Sequence, residues 1–163
     1  MAFRPLKNSS NRETPTPGAK NETYRRLAVN RYVLDSFALT AYLENEPGRL
    51  KVSEVIREVA AATSRALMTT VNLGETLYMM ERRRGPTGLV HALGLVPQLG
   101  IEVIDTDLKL TVAAARIKAV TPISYGDCFA AALALEEDAV LLTGDTEFRR
   151  LQAAIKIEWL PQR

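Results

Sequence analysis

From Arg31 onward the chain alternates short apolar runs with longer segments whose apolar residues recur every three or four positions. Arg31 to Leu34 is β-prone and stops at Asp35-Ser36, after which Phe37 to Glu46 has helical character. Beyond the turn Glu46-Pro-Gly48, Leu50 to Ala62 carries a helical stripe at Val52, Val55, Ile56 and Val59, and Ala66 to Thr69 reads as a second strand. Val71 to Arg84 predicts a helix packed on two sides, with Val71, Glu75, Tyr78 and Met79 on one face and Leu73, Leu77 and Met80 on the other. Gly85-Pro-Thr-Gly88 separates it from a helical segment over Leu89 to Leu99. Ile101 to Ile104 is a third strand, and Thr106 to Ala119 a helix capped by Asp105 or Thr106. Ser124 can cap a helix through Ala130, Ala131 and Ala134, followed by a strand over Ala139 to Thr143 and a last one over Ile155 to Leu160. Strands separated by helices predict an α/β fold, a three-layer α/β/α sandwich with a central parallel sheet of about five strands. In such folds ligands bind at the carboxyl ends of the strands, where Asp35 and Asp145 both fall.

Composition changes this picture mainly before Arg31. Residues 1–30 are rich in Asn, Ser, Thr, Pro, Lys and Arg without periodicity, which predicts a flexible basic extension ahead of one domain over 31–163. Seven Lys or Arg against two Glu lie in residues 1–31, so the net charge of +2 conceals a remainder at −3. The alkaline balance is therefore a weak argument for nucleic-acid binding by the domain itself. A single cysteine, Cys128, excludes an internal disulfide, and the chain has neither a spanning apolar run nor a secretion signal. The expectation is a cytoplasmic protein without a membrane partner.

Four acids stand out by placement. Asp35 and Asp145 end strands, Asp127 lies in the first turn of the alanine-rich helix, and Glu75 sits among apolar neighbours. Each has an ordinary explanation: helix capping for Asp35 and Asp145, a capping-box arrangement three residues after Ser124 for Asp127, and pairing with Arg82 for Glu75. The topology nevertheless brings at least two of them to one edge and can place the others near it. Carboxylates gathered there repel unless cations share the site, and hard oxygen ligands without a cysteine or histidine cluster select Mg²⁺ or Mn²⁺.

Val33-Leu-Asp-Ser36, Asn72-Leu-Gly-Glu75, Ser124-Tyr-Gly-Asp-Cys-Phe-Ala130 and Leu142-Thr-Gly-Asp-Thr-Glu-Phe148 resemble, in order and spacing, the four acidic motifs of PIN-domain ribonucleases. The compact chain is similar to the VapC toxins of bacterial toxin–antitoxin pairs over roughly residues 31 to 161. The resemblance implies an endoribonuclease whose catalytic and metal-holding residues are Asp35, Glu75, Asp127 and Asp145, with Thr143 as a supporting polar neighbour. It further implies an RNA substrate, a cognate antitoxin laid along the helices between Phe37 and Ala62 and the one ending at Arg84, and a homodimer. Gly126 and Cys128 stand where the family often has alanine, a departure expected to alter packing more than chemistry. A PIN-like scaffold without catalysis is the alternative, favoured by loss of an acid. A receiver domain would need a paired acid near the first strand and a lysine following a late one, whereas only Asp35 closes the first strand and no well-placed lysine follows Asp145.

Other residues fit bland roles. His91 is the only histidine and lacks a partner for acid–base work; Cys128 beside acids should have a raised thiol pKa. Arg82, Arg83 and Arg84 suit a helix carboxyl end and are candidate contacts to RNA phosphate.

Overall fold

The computed structural model describes residues 29–162. The extension expected over residues 1–30 falls, up to residue 28, outside the described residues. In chain order the elements are β1 (Asn30–Leu34), α1 (Ser36–Leu43), α2 (Arg49–Ala60), β2 (Ser64–Thr69), α3 (Thr70–Gln98), β3 (Ile101–Ile104), α4 (Leu108–Val120), α5 (Tyr125–Glu136), β4 (Val140–Thr143), a 3-10 helix (Thr146–Leu151) and β5 (Lys156–Trp159). All pairings are parallel and the sheet order is β3-β2-β1-β4-β5.

Consecutive strand residues point to opposite faces, and both faces are covered here, so the inner strands β2 and β4 are buried almost throughout rather than alternating. Val33, Leu67 and Leu141 pack beneath α4 and α5 with Leu110, Phe129, Leu133 and Phe148. Their neighbours Leu34, Ala66, Met68 and Leu142 pack beneath the other layer with Leu39, Val52, Val55 and Val96. The expected three-layer sandwich is therefore present, with two cores separated by the sheet.

The order of strands fixes where a site can form. β2 and β3 lie on one side of β1 while β4 and β5 lie on the other, so the direction of winding reverses between β1 and β4. A crevice opens at the carboxyl ends of two such strands because the chain leaves them in different directions. The register pairs Leu34 with Leu142, setting Asp35 level with Thr143.

Two local expectations change. The separator at Gly85-Pro-Thr-Gly88 is one residue wide: only Gly85, at φ 69°, leaves helical geometry, and helical structure resumes at Pro86. Proline suits the first position of a helix, whose N–H has no partner within it. Helix α4 starts at Leu108 and is capped by Asp107, whose carboxylate accepts from Leu110 N–H, rather than by Asp105 or Thr106. The two-sided packing of α3 holds, since Val71 meets one core and Leu73 the other. The most buried row, however, is Asn72, Thr76 and Met80 between them, while Tyr78 is exposed.

Candidate active site

Asp35 follows β1 directly and caps α1, its Oδ1 accepting from Ala38 N–H at 2.8 Å. Capping, the ordinary explanation for this residue, thus uses one carboxylate oxygen. The other accepts a hydrogen bond from the Thr143 hydroxyl across the β1–β4 register. Thr143 is fully buried, and its Oγ1 also accepts from Asp145 N–H at 2.9 Å. One hydroxyl thereby ties the carboxylate after β1 to the backbone of the acid after β4. Asp145 in turn caps the 3-10 helix through Oδ1 and Glu147 N–H.

Asp127 enters from α5. Ser124 caps that helix, its Oγ accepting from Asp127 N–H at 3.0 Å. In a reciprocal capping box the carboxylate three residues on would take the cap's own N–H. Here Ser124 N–H goes instead to Glu147 Oε2 at 3.0 Å, so another acid does that work. Asp127 shares the buried face of Ala130, Ala131 and Ala134, small residues that let α5 lie close to β1, β2 and β4.

Glu75 lies in the second turn of α3, which starts at the carboxyl end of β2. Its Oε2 accepts from the Ser36 hydroxyl at 2.7 Å, so the partner is Ser36 rather than Arg82. Asn72, one turn earlier and fully buried, donates from Nδ2 to the Gly126 carbonyl at 3.0 Å and joins α3 to the start of α5. Thr69 holds Asn72 in turn, accepting its N–H and donating to its Oδ1. A Cβ on Gly126 would come 3.2 Å from Glu75 Oε2. That position therefore bears on an acid of the site, beyond the packing effect expected for it.

Electrostatics show that the acids converge. Burial, reinforced by the charges of Asp127 and Asp145, pushes the Asp35 carboxyl up to about 7 against the hydrogen bonds from Thr143 and Ala38. Burial likewise raises Asp127 to about 6 against the Ser124 hydroxyl, with Asp145, Glu75 and Glu147 adding to the rise. Among the described residues no lysine or arginine forms an ion pair with Asp35, Glu75, Asp127 or Asp145. Nor, among those residues, are three acidic, histidine or cysteine side chains drawn together tightly enough to enclose an ion as they stand. The donor set still fits a hard divalent cation: four carboxylates, two of them held back from ionising partly by their neighbours.

The remaining candidates are placed as follows. Arg83 pairs with Glu46 at 3.5 Å and Arg84 with Glu44 at 2.9 Å, bracing α3 against the end of α1. Arg82 is exposed and lines a shallow hollow with Tyr78 and Met79. His91 is exposed. The Cys128 thiol is pushed up first by burial, with Lys118 opposing and Asp127 reinforcing, so the expected rise has burial as its main cause. Sequence reasoning gave no role to Asn72 or Glu147. The spacing Thr69-x-x-Asn72 is a capping signal that could have drawn attention to Asn72. Nothing local marks Glu147, whose partner lies 23 residues away.

No curated protein matches the sequence. Solved structures of similar shape include VapBC2 from Rickettsia felis bound to a promoter DNA fragment, with 18% identity, 80% of this chain and 99% of the other covered, and a TM-score of 0.64. The same figures hold for VapC20 of Mycobacterium tuberculosis, described as a sarcin-ricin loop cleaving toxin. DNA-bound VapBC from Salmonella typhimurium has 22% identity, 80% and 98% coverage, and a TM-score of 0.62. At these identities the likeness carries the fold. The sequence itself matches the PIN domain over residues 32–154, from β1 to the turn before β5. With that match spanning most of the chain, and with the sheet order and acid cluster it accompanies, the protein belongs to the PIN domain family.

Proposed function

We propose that this protein is a metal-dependent endoribonuclease acting in the cytoplasm as the toxin of a toxin–antitoxin pair. The observation that carries the reading is the convergence of Asp35, Glu75, Asp127 and Asp145 where the sheet's winding reverses, with no ion pair to a protein cation among the described residues. Asp35, Glu75, Asp127 and Asp145 would hold Mg²⁺ or Mn²⁺. When bound, such an ion supplies activation of water and neutralisation of charge on phosphate oxygens, the chemistry needed to hydrolyse a phosphodiester. The chain's own contribution is orientation. Thr143 fixes Asp35 Oδ2 and the Asp145 backbone together, Ser36 steadies Glu75, and Asn72 holds α5 so that Asp127 faces the same crevice. A domain carrying excess negative charge repels RNA unless divalent charge is present at the rim.

The partners follow the same reading. Similar structures are of VapBC toxin–antitoxin complexes, which supports an antitoxin partner. In this reading the antitoxin covers α1, α2 and the first half of α3, and the toxin pairs with a second copy of itself. Arg82 is the arginine of its trio best disposed to touch RNA phosphate, since Arg83 and Arg84 are engaged with Glu44 and Glu46. The deciding measurement is cleavage of total RNA by purified protein. Cutting in Mg²⁺ or Mn²⁺, abolished by chelator and by Asp145→Asn, is expected. Undiminished cutting in excess chelator would sink the metal mechanism, and a folded, RNA-binding protein without cleavage would mark a scaffold.

A further inference from the structure

Glu147 is an acid beside the crevice that the set of four carboxylates leaves out. It lies in the 3-10 helix, which Phe148 anchors by full burial in the core that also holds Phe129 and Leu133 of α5. Its backbone N–H donates to Asp145 Oδ1 at 2.8 Å, and its Oε2 accepts Ser124 N–H at 3.0 Å. One residue thus joins the acid after β4 to the cap of α5.

The neighbouring acids differ in what their oxygens do. Asp35 and Asp145 each commit Oδ1 to a backbone N–H at the start of a helix. Asp127 has the same opportunity, because it stands third in α5, where an acid commonly turns back to the N–H of the cap. The Ser124 hydroxyl already lies against its carboxylate, so the distance to be covered is small. Like charge on Asp145 and Glu75 would drive it there, and the positive end of the helix dipole would hold it. Yet Asp127 stays buried, and among the described residues neither of its oxygens accepts a backbone N–H. The reason is that Glu147 Oε2 occupies the only N–H that the turned-back carboxylate could take.

We propose that Glu147 is a positioning residue that caps α5 in place of Asp127, so that Asp127 keeps both carboxylate oxygens for the ion and phosphate in the crevice; the inference rests on the ribonuclease reading above. Glu147 acts through Ser124. What the role requires is an acceptor oxygen at that place, which glutamine also offers. A ligand to a divalent ion would require the negative charge as well.

The test compares wild type with Glu147→Gln and Glu147→Ala, in which the altered side chain is exposed and removes nothing from the core. Mn²⁺ affinity is measured by calorimetry, RNA cleavage at limiting Mn²⁺, and the Ser124 amide proton by NMR in chelator. Glu147→Ala should bind Mn²⁺ about 10- to 100-fold more weakly, the equivalent of one hydrogen bond to a charged group, and cut correspondingly slower. Glu147→Gln should recover most of both. Adding Asp127→Ala should leave the Ser124 amide proton in place when Glu147 is present and shift it upfield in Glu147→Ala, where Asp127 has taken that N–H. Equal losses in the glutamine and alanine variants would make Glu147 a ligand and overturn the proposal. So would wild-type Mn²⁺ affinity in Glu147→Ala, or a Ser124 amide that ignores Asp127 in both backgrounds. The amide measurement needs neither metal nor RNA. Protein that shows the expected amide and Mn²⁺ pattern but never cuts RNA would instead refute the ribonuclease reading and leave the role of Glu147 standing.

Discussion

Thr143 does more than fill a buried position at the end of β4. Removing its hydroxyl leaves Asp145 N–H without an acceptor and Asp35 Oδ2 without a donor, both in partly or fully buried surroundings. Thr143→Val, which keeps the shape, should therefore cost ~1–3 kcal/mol in chemical denaturation. It should also lower metal-dependent cleavage, because two acids lose their common tether. A variant as stable and active as wild type would reduce Thr143 to packing. The raised acids make a second claim with a definite sign. Asp35 and Asp127, ordinarily near 3.8, titrate at about 7 and about 6 in the fold. The native state then binds more protons than the unfolded chain between those limits, so in metal-free protein their contribution to stability falls as pH rises through that window. Glu102, lowered by its hydrogen bond to Arg65, acts in the opposite sense at lower pH, so the comparison belongs between variants. Asp127→Asn should melt above wild type at pH 8 in chelator, with the gap narrowing toward pH 5. A lower melting temperature throughout would mean that the carboxylate is chiefly a cap.

At the scale of elements, α3 concentrates the information. Its first half carries Glu75 to the crevice, and its course changes at a single residue, Gly85, in the left-handed region that side chains with a Cβ adopt at a cost. Nothing lies within 4 Å of a Cβ added at Gly85, so strain there would be purely conformational. Gly94 has equally open surroundings but lies within the helical second half. Gly85→Ala should thus destabilise by about 1 kcal/mol or more, whereas Gly94→Ala should stabilise by ~0.5–1 kcal/mol. Equal effects in thermal melts would contradict the kink. The same helix shows where sequence reading stops. Its two apolar faces were legible in the spacing of Val71 and Leu73, but the polar row Asn72 and Thr76 between them is buried by contacts with α5 and by an internal hydrogen bond. Periodicity counts hydrophobic side chains, and a buried polar row registers in it as solvent-facing.

For the whole molecule, the α/β alternation and the strand ends that carry Asp35 and Asp145 could be read from the chain because each depends on local pattern. The sheet order could not. It is set by which core each crossover covers, and the reversal between β1 and β4 is what turns two separate strand ends into one crevice. The pairings that give the acids their environment span 39 residues for Ser36 with Glu75 and 108 for Asp35 with Thr143. No window of sequence holds both partners.

The last described residues matter for handling the protein. After β5 the chain stays against the end of β4, with Leu160 N–H bonded to the Thr143 carbonyl and the Gln162 side-chain amide donating to that of Gly144. Gln162, the last described residue, thus lies beside Gly144, next to the strand end that carries Asp145. A purification handle fused there would hang across the entrance and contest it with substrate, and a cleavable or amino-terminal handle avoids that interference.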